Sequence, residues 1–200
     1  MASKKIKLLF ESKRFSIRLF KKSDYKAWCA AYESMFAKQN DFDEDKKNKK
    51  DLTLAKFHKF LKKTEQFEKR GDIYHFGVFE KRTGRLMGQI LFALVIRYNV
   101  QSARLSYNIF NNYWKHGYGK EVVAAAIKFG FLKMHLHRLE LEILPNNRAS
   151  IGLAKSLRFQ YEGVRRGAVY LNHKWLDHAV YAHLAEDYGI KNIKPKIFRK

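Results

Sequence analysis

Residues 114–121, Trp-Lys-His-Gly-Tyr-Gly-Lys-Glu, are the stretch whose residue types most directly suggest chemistry. Gly117 and Gly119 leave the backbone bare enough for a ligand to approach it. Lys115, His116 and Lys120 bring positive charge to the same few residues. Arg104–Phe110 before them reads as a strand, with Asn108, Ile109 and Phe110 at its end. After them, Val122, Val123, Ala126, Ile127 and Gly130 recur at helical spacing. A strand therefore feeds a two-glycine loop that opens a helix. The first N–H groups of a helix have no intrahelical partner and lie at its electropositive end, so the loop is suited to phosphate. It is neither of the two commonest phosphate loops. A dinucleotide fingerprint would need glycine where Val122 stands, and a P-loop would need Ser or Thr where Glu121 stands. The same glycines would also serve a tight turn with no ligand at all.

Other side chains with chemical potential are fewer. In Arg138–Leu144, Leu139, Leu141 and Ile143 alternate with Glu140 and Glu142, which puts both carboxylates on one face of a strand. Pro145-Asn146-Asn147 ends that strand, and Ser150 stands where an N-cap would open the next short helix. The single cysteine, Cys29, excludes an internal disulfide framework and reads as a small buried residue near Trp28. The eight histidines are scattered, and His135-x-His137 has no cysteine near it, so no metal site is expected.

The elements that must position these residues follow from periodicity. Phe15–Phe20 alternates as a first strand. Ser23 or Asp24 can cap a helix through Trp28, Tyr32 and Phe36. Residues 38–51 are strongly polar and read as a loop, and a second amphipathic helix carries Leu54, Phe57, Leu61 and Phe67. Ile73–Glu80 and Leu86–Ile96 form a hairpin, Gln101–Phe110 is the next strand, and the central helix spans about 117–133. A strand over Arg138–Leu144, a short helix over Ser150–Leu157 and two strands over about 159–170 and 174–184 complete the order β-α-α-β-β-β-α-β-α-β-β. Such an order predicts an α+β fold, a mixed and largely antiparallel sheet flanked by helices.

Several motifs in one order carry a resemblance. Gly117-x-Gly119 is similar to the acetyl-CoA loop of the GNAT acetyltransferases, and Asn147-Arg-Ala-Ser150 followed by Lys155-Ser-Leu-Arg-Phe159 resembles their second motif. His135–Glu140 resembles the strand entry that precedes that motif, and Tyr161-Glu162-Gly163 with Tyr170–Asp177 resembles the closing hairpin of the ribosomal-protein-alanine N-acetyltransferases of the RimJ/RimL type. The resemblance covers roughly residues 15–185. It implies a GNAT fold, two splayed strands that take the pantetheine arm, and acetyl transfer from acetyl-CoA to an amine.

The resemblance also implies roles. The backbone around Lys115–Lys120, Tyr118 included, would hold the pyrophosphate. A free N–H near Asn108–Phe110 would polarise the thioester carbonyl. Asn147 would hold the pantetheine or a water, and Ser150 would serve the leaving thiolate, because the position where many members carry a tyrosine is Ala154. Many members have a glutamate where Arg104 stands, which leaves Glu140 as the candidate general base. Arg158 and Ser106 replace two customary glycines.

The 200 residues fit one domain, expected over 14–186, between a basic extension at 1–13 and a basic tail at 187–200. The first ten residues lack a signal-peptide core, and the longest apolar run, Ile90–Ile96, is too short to span a bilayer, so a cytoplasmic enzyme without membrane contact is expected. The net charge of +22 attracts polyanions: CoA phosphates, RNA or a ribosome. The preferred acceptor is a protein N-terminal α-amino group, with a ribosomal protein among the candidates. The rivals are a basic RNA- or ribosome-binding protein on a GNAT scaffold, and an acetyltransferase of small amines. Monomer and homodimer are both compatible with the sequence.

Overall fold

The computed structural model describes residues 7–191. Its strands are β1 Leu9–Glu11, β2 Phe15–Leu19, β3 Ile73–Glu80, β4 Leu86–Ile96, β5 Ser102–Ile109, β6 Arg138–Ile143, β7 Gln160–Leu171 and β8 Lys174–Leu184. Its helices are α1 Tyr25–Ser34, α2 Leu54–Arg70, α3 Tyr118–Leu132 and α4 Arg148–Ser156. The strands form one open sheet in the order β1-β2-β3-β4-β5-β6-β8-β7. Every neighbouring pair is antiparallel except β5 and β6.

That parallel pair is short. Only Ser102, Ala103 and Arg104 face Arg138, Leu139 and Glu140 in register. Beyond them β5 stays with β4 and β6 stays with β8, so the two strands part and leave an opening in the sheet. Apolar side chains fill both faces. Phe76, Val78, Ile90, Phe92, Val122, Ala126, Phe129 and Leu139 pack between the sheet and α3. Trp28, Tyr32, Met35, Phe57, Leu61, Phe79 and Phe110 pack between the opposite face and the α1–α2 layer. The alternation of Phe76 and Val78 against Phe79 on β3 divides them between the two cores.

Three expectations change. Part of the extension expected at 1–13 is sheet: β1 pairs with β2 and buries Phe10 against Phe129, ring centroids 4.4 Å apart. The rest of that extension, 1–6, and residues 192–200 of the expected tail lie outside the described residues. Asp24 does not cap α1. Its carboxylate accepts from the Lys21 N–H at 2.7 Å and takes both terminal nitrogens of Arg18 at 2.7 and 2.8 Å, so a 3-10 turn precedes the helix. The cap of α4 is Asn147, whose Oδ1 accepts from the Ser150 N–H at 3.1 Å, and Ser150 lies inside the first turn. Among the described residues no helix is long and apolar enough to cross a membrane.

Gly88 lies on β4 opposite Ile109, where the backbones approach so closely that a Cβ would stand 2.2 Å from the Asn108 carbonyl oxygen. Gly88→Ala must push β5 away at the edge of the opening. It is expected to cost about 1–3 kcal/mol, the usual range for an overpacked site. A urea midpoint equal to that of the wild type would show that the strand yields without cost.

Candidate active site

The loop after β5 turns through a short 3-10 segment at Asn111–Tyr113 and reaches α3 with Lys115 at φ 65° and Gly117 at φ 73°. Both are left-handed, and no side chain caps the start of α3. Its first N–H groups are thus free of a capping side chain. A Cβ on Gly117 would meet nothing within 4 Å, so the space beside it is open. The N-terminal hairpin steadies the loop. Glu121 accepts from Ser12 Oγ at 2.7 Å, Arg14 N at 2.8 Å and Arg14 Nε at 2.6 Å, and the Arg14 guanidinium lies 4.5 Å from the centre of the Tyr118 ring. Burial pushes the Glu121 carboxyl upward, but the Ser12 and Arg14 hydrogen bonds outweigh it and hold the group below its usual range.

A cavity of about 520 Å³ occupies the opening between β5, this loop and α4. Asn108, Ile109, Lys115, Gly117, Tyr118, Gly119 and Lys120 line it from one side, and Asn147 and Ser150 from the other. Two residues expected in this set do not line it. His116 turns its Nδ1 to the Trp114 carbonyl at 2.6 Å and stacks on Tyr118. Phe110 is wholly buried in the α1–α2 core, and its N–H donates to the Met87 carbonyl at 3.0 Å. Since backbone groups alternate along an antiparallel strand, the Phe110 bond turns the N–H groups of Ile109 and Tyr107 toward the opening. Ile109 is therefore the best-placed donor of the three residues expected to supply one.

A second groove of about 480 Å³ adjoins the first and is lined by Arg104, Ser106, Glu142, Leu171 and His178, with Asp41 above. Four residues line both spaces: Phe42, Tyr107, Asn147 and Ser150. The Tyr107 hydroxyl is buried there and makes no hydrogen bond of normal geometry. Burial raises its pKa, and the nearby Ser150 side chain offsets part of that rise.

Glu140 occupies a different place from the one expected. Its Oε1 accepts from Arg138 Nε at 2.6 Å, and Arg138 also grips Glu162 on β7, across β8. The β6 carboxylate that lines the groove is Glu142, one pleat further along the strand and past the point where β5 leaves. Glu142 is 2.8 Å from Arg104 Nε and 3.3 Å from His178 Nδ1, and it is also paired with Arg165.

The polar loop between α1 and α2 roofs both spaces through Asn40, Asp41 and Phe42. Asn111 fastens it: Oδ1 accepts from Phe36 N at 2.8 Å, and Nδ2 donates to Asp43 Oδ2 at 2.7 Å. From the same loop, Glu44 accepts from Asn108 Nδ2 at 2.7 Å and from the Tyr32 hydroxyl at 2.7 Å. Gln89 Nε2 donates to Tyr32 at 2.9 Å, and His75 Nε2 meets Gln89 Oε1 at 2.5 Å. A chain of donors thus runs from half-buried His75 to the Glu44 carboxylate beside Asn108. Sequence reading missed it, although a glutamine inside the apolar run Leu86–Ile96 was a visible signal. Among the described residues no group of three or more His, Cys, Asp and Glu is placed to hold a metal ion.

The acetyltransferase (GNAT) domain profile matches residues 14–160. The chain belongs to the GNAT acetyltransferase family. It is 32% identical over 114 residues to YjcK of Bacillus subtilis, named a probable N-acetyltransferase, covering 57% of this chain and 63% of that protein. It is 28% identical over 123 residues to the [ribosomal protein uS5]-alanine N-acetyltransferase of Escherichia coli, covering 62% of this chain and 63% of that one. The matched region thus spans a little under two thirds of each curated relative. In fold it is similar to Mycobacterium smegmatis RimJ, solved with a CoA disulfide. The TM-score is 0.75 at 18% identity, covering 90% of this chain and 88% of that one.

Burial lowers the pKa of His75 from 6.5 to about 4, against the opposing hydrogen bond to Gln89. Between those values the unfolded chain binds a proton that the folded chain refuses. The His75 contribution is therefore complete above pH 6.5 and is lost as pH falls toward 4, at roughly 1.4 kcal/mol per unit. The stability gap between wild type and His75→Gln is expected to change by that slope between pH 6.5 and 4.5. A constant gap in urea midpoints would exclude it.

Proposed function

We propose that the chain transfers an acetyl group from acetyl-CoA to the α-amino group of a protein N-terminus, with a ribosomal protein as the candidate acceptor. The observation that carries this reading is the meeting of two spaces at Tyr107, Asn147 and Ser150. One is built for a phosphate-bearing donor, and the other opens to solvent beneath an ordered loop. The name of the Escherichia coli relative supports the acceptor class. The net charge of +22 supports work close to ribosomal RNA.

Acetyl-CoA is a substrate, and the residues present fit it. The uncapped start of α3, with Lys115 and Lys120 beside it, binds the pyrophosphate. Asn147 and Ser150 border the path of the pantetheine arm. The Ile109 N–H donates to the carbonyl oxygen as negative charge develops there, in a space from which Phe42 and Tyr107 exclude water. The Ser150 hydroxyl, next to the buried Tyr107 hydroxyl, passes a proton to the departing sulfur. Glu140 has no part in this scheme, because Arg138 holds it outside the groove.

Gly117→Glu forces a side chain into a left-handed position and sets a carboxylate at the phosphate subsite. Calorimetric titration is expected to show acetyl-CoA binding weakened at least about tenfold, because the added carboxylate repels the phosphates at close range. An unchanged Kd would remove the loop from the donor site.

Ser150→Ala is expected to lower kcat about 10²-fold or more while leaving the acetyl-CoA Kd within a factor of about two. The α4 cap uses the Ser150 N–H, which alanine retains, so helix fraying would not explain the loss. Equal turnover in wild type and variant would reduce Ser150 to a structural residue.

A further inference from the structure

Resting on the acetyltransferase reading, we propose that His178, oriented by Glu142, is the proton acceptor for the attacking amine, and that this pair selects α-amino groups over lysine side chains.

Four strands bring the pair together. Glu142 faces Val180 in the β6–β8 register, so His178, two residues from Val180, shares its face one diagonal away. Arg165 on β7 stands directly across from His178. Arg104 reaches Glu142 from β5 across the opening. Asp41 lines the same groove from the roof loop. Among the described residues, these are the charged groups lining the groove or in contact with the pair.

Both guanidiniums engage Oε1 of Glu142, and His178 Nδ1 lies 3.3 Å from Oε2. A carboxylate held by two guanidiniums is ionised and accepts only, so Nδ1 must carry the hydrogen. Nε2 is then the nitrogen with a lone pair. The side chains of His178 and Glu142 are only 15% and 10% exposed, and both line the groove that meets Ser150 and Tyr107. Glu142 is the orienting group, since its own charge is already taken up by Arg104 and Arg165.

The protons balance. An α-ammonium loses one proton to His178 Nε2 and becomes a nucleophile. Its nitrogen bonds to the acetyl carbon while the carbon–sulfur bond breaks. Its second proton reaches the thiolate through Ser150, and His178 returns the first to solvent. Free α-ammonium and imidazole groups differ by only about 1.5 pKa units, whereas lysine lies about four units above imidazole. Transfer to imidazole is therefore nearly balanced for an N-terminus and strongly uphill for lysine.

His178→Asn keeps a nitrogen donor for Glu142 and removes Nε2. With an N-terminal peptide and the full-length protein, kcat/KM at pH 7 is expected to fall about 10²-fold. The deficit should narrow toward pH 9, where the amine deprotonates unaided. Nitrogen NMR of the ligand-free wild type should show the Nδ1–H tautomer of His178, and Glu142→Gln should disturb it. Less than about a threefold loss in the variant, or an Nε2–H tautomer in the wild type, would overturn the pair while leaving the acetyltransferase reading intact. If the wild type binds acetyl-CoA but acetylates no peptide at either an α-amine or a lysine, both readings fall.

Discussion

The parting of β5 from β6 is the constraint on which the site depends. Three residue pairs join the two strands, and past Arg104 and Glu140 neither strand has the other as a partner. Parallel pairing needs evenly spaced, slanted hydrogen bonds. Once the strands diverge, the N–H groups of Tyr107 and Ile109 face a gap instead of a ladder. A gap in a sheet interior leaves backbone polar groups without partners, which is costly unless something enters to satisfy them. The loop before α3, the cap of α4 and the Trp114 indole gather at this edge, and the indole Nε1 donates to the Ile109 carbonyl at 2.5 Å. The opening is thus flanked by groups that leave donors exposed toward it.

Polar side chains tie the edges of the gap to one another. Arg14 and Ser12 tie the first hairpin to Glu121 at the start of α3. Asn111 ties the roof loop to the end of β5. Glu44 joins that loop to Asn108 and, through Tyr32 and Gln89, to half-buried His75. All but the Tyr32–Glu44 and His75–Gln89 links join residues more than fifty positions apart, so the edges of both spaces are held by residues that no local pattern connects. A chain with 41 basic and 19 acidic side chains spends several of its scarce carboxylates here: Asp43, Glu44, Glu121 and Glu142 all brace the site.

Much of the frame was legible from periodicity. The β3–β4 hairpin has the limits that its alternation implies, and α3 begins and ends within a residue or so of its apolar spacing. The strand–glycine loop–helix succession and the Asn147 to Ser150 spacing marked the two sides of the first cavity, because backbone freedom and helix starts are local properties. The misplacements have a common cause. His116 and Phe110 lie in the right segments, but their orientation was decided by Trp114, Tyr118 and Met87, their neighbours in space. Glu140 and Glu142 were indistinguishable as two carboxylates on one strand face. Only the register with β5 shows that the first is still beside its partner strand and the second is past it.

The sequence by itself determined the α+β order and the two-glycine start of the central helix, since these follow from residue spacing and local backbone preference, and its motifs carry the resemblance to the GNAT family that the domain profile bears out. The tertiary structure alone decided which β6 carboxylate lines the second groove, which N–H groups face the opening, and that His178, Arg104 and Arg165 all converge on Glu142. Those facts depend on strand register and on where two strands separate. Register is set by long-range packing, which shifts the face of a side chain with a slip of one residue.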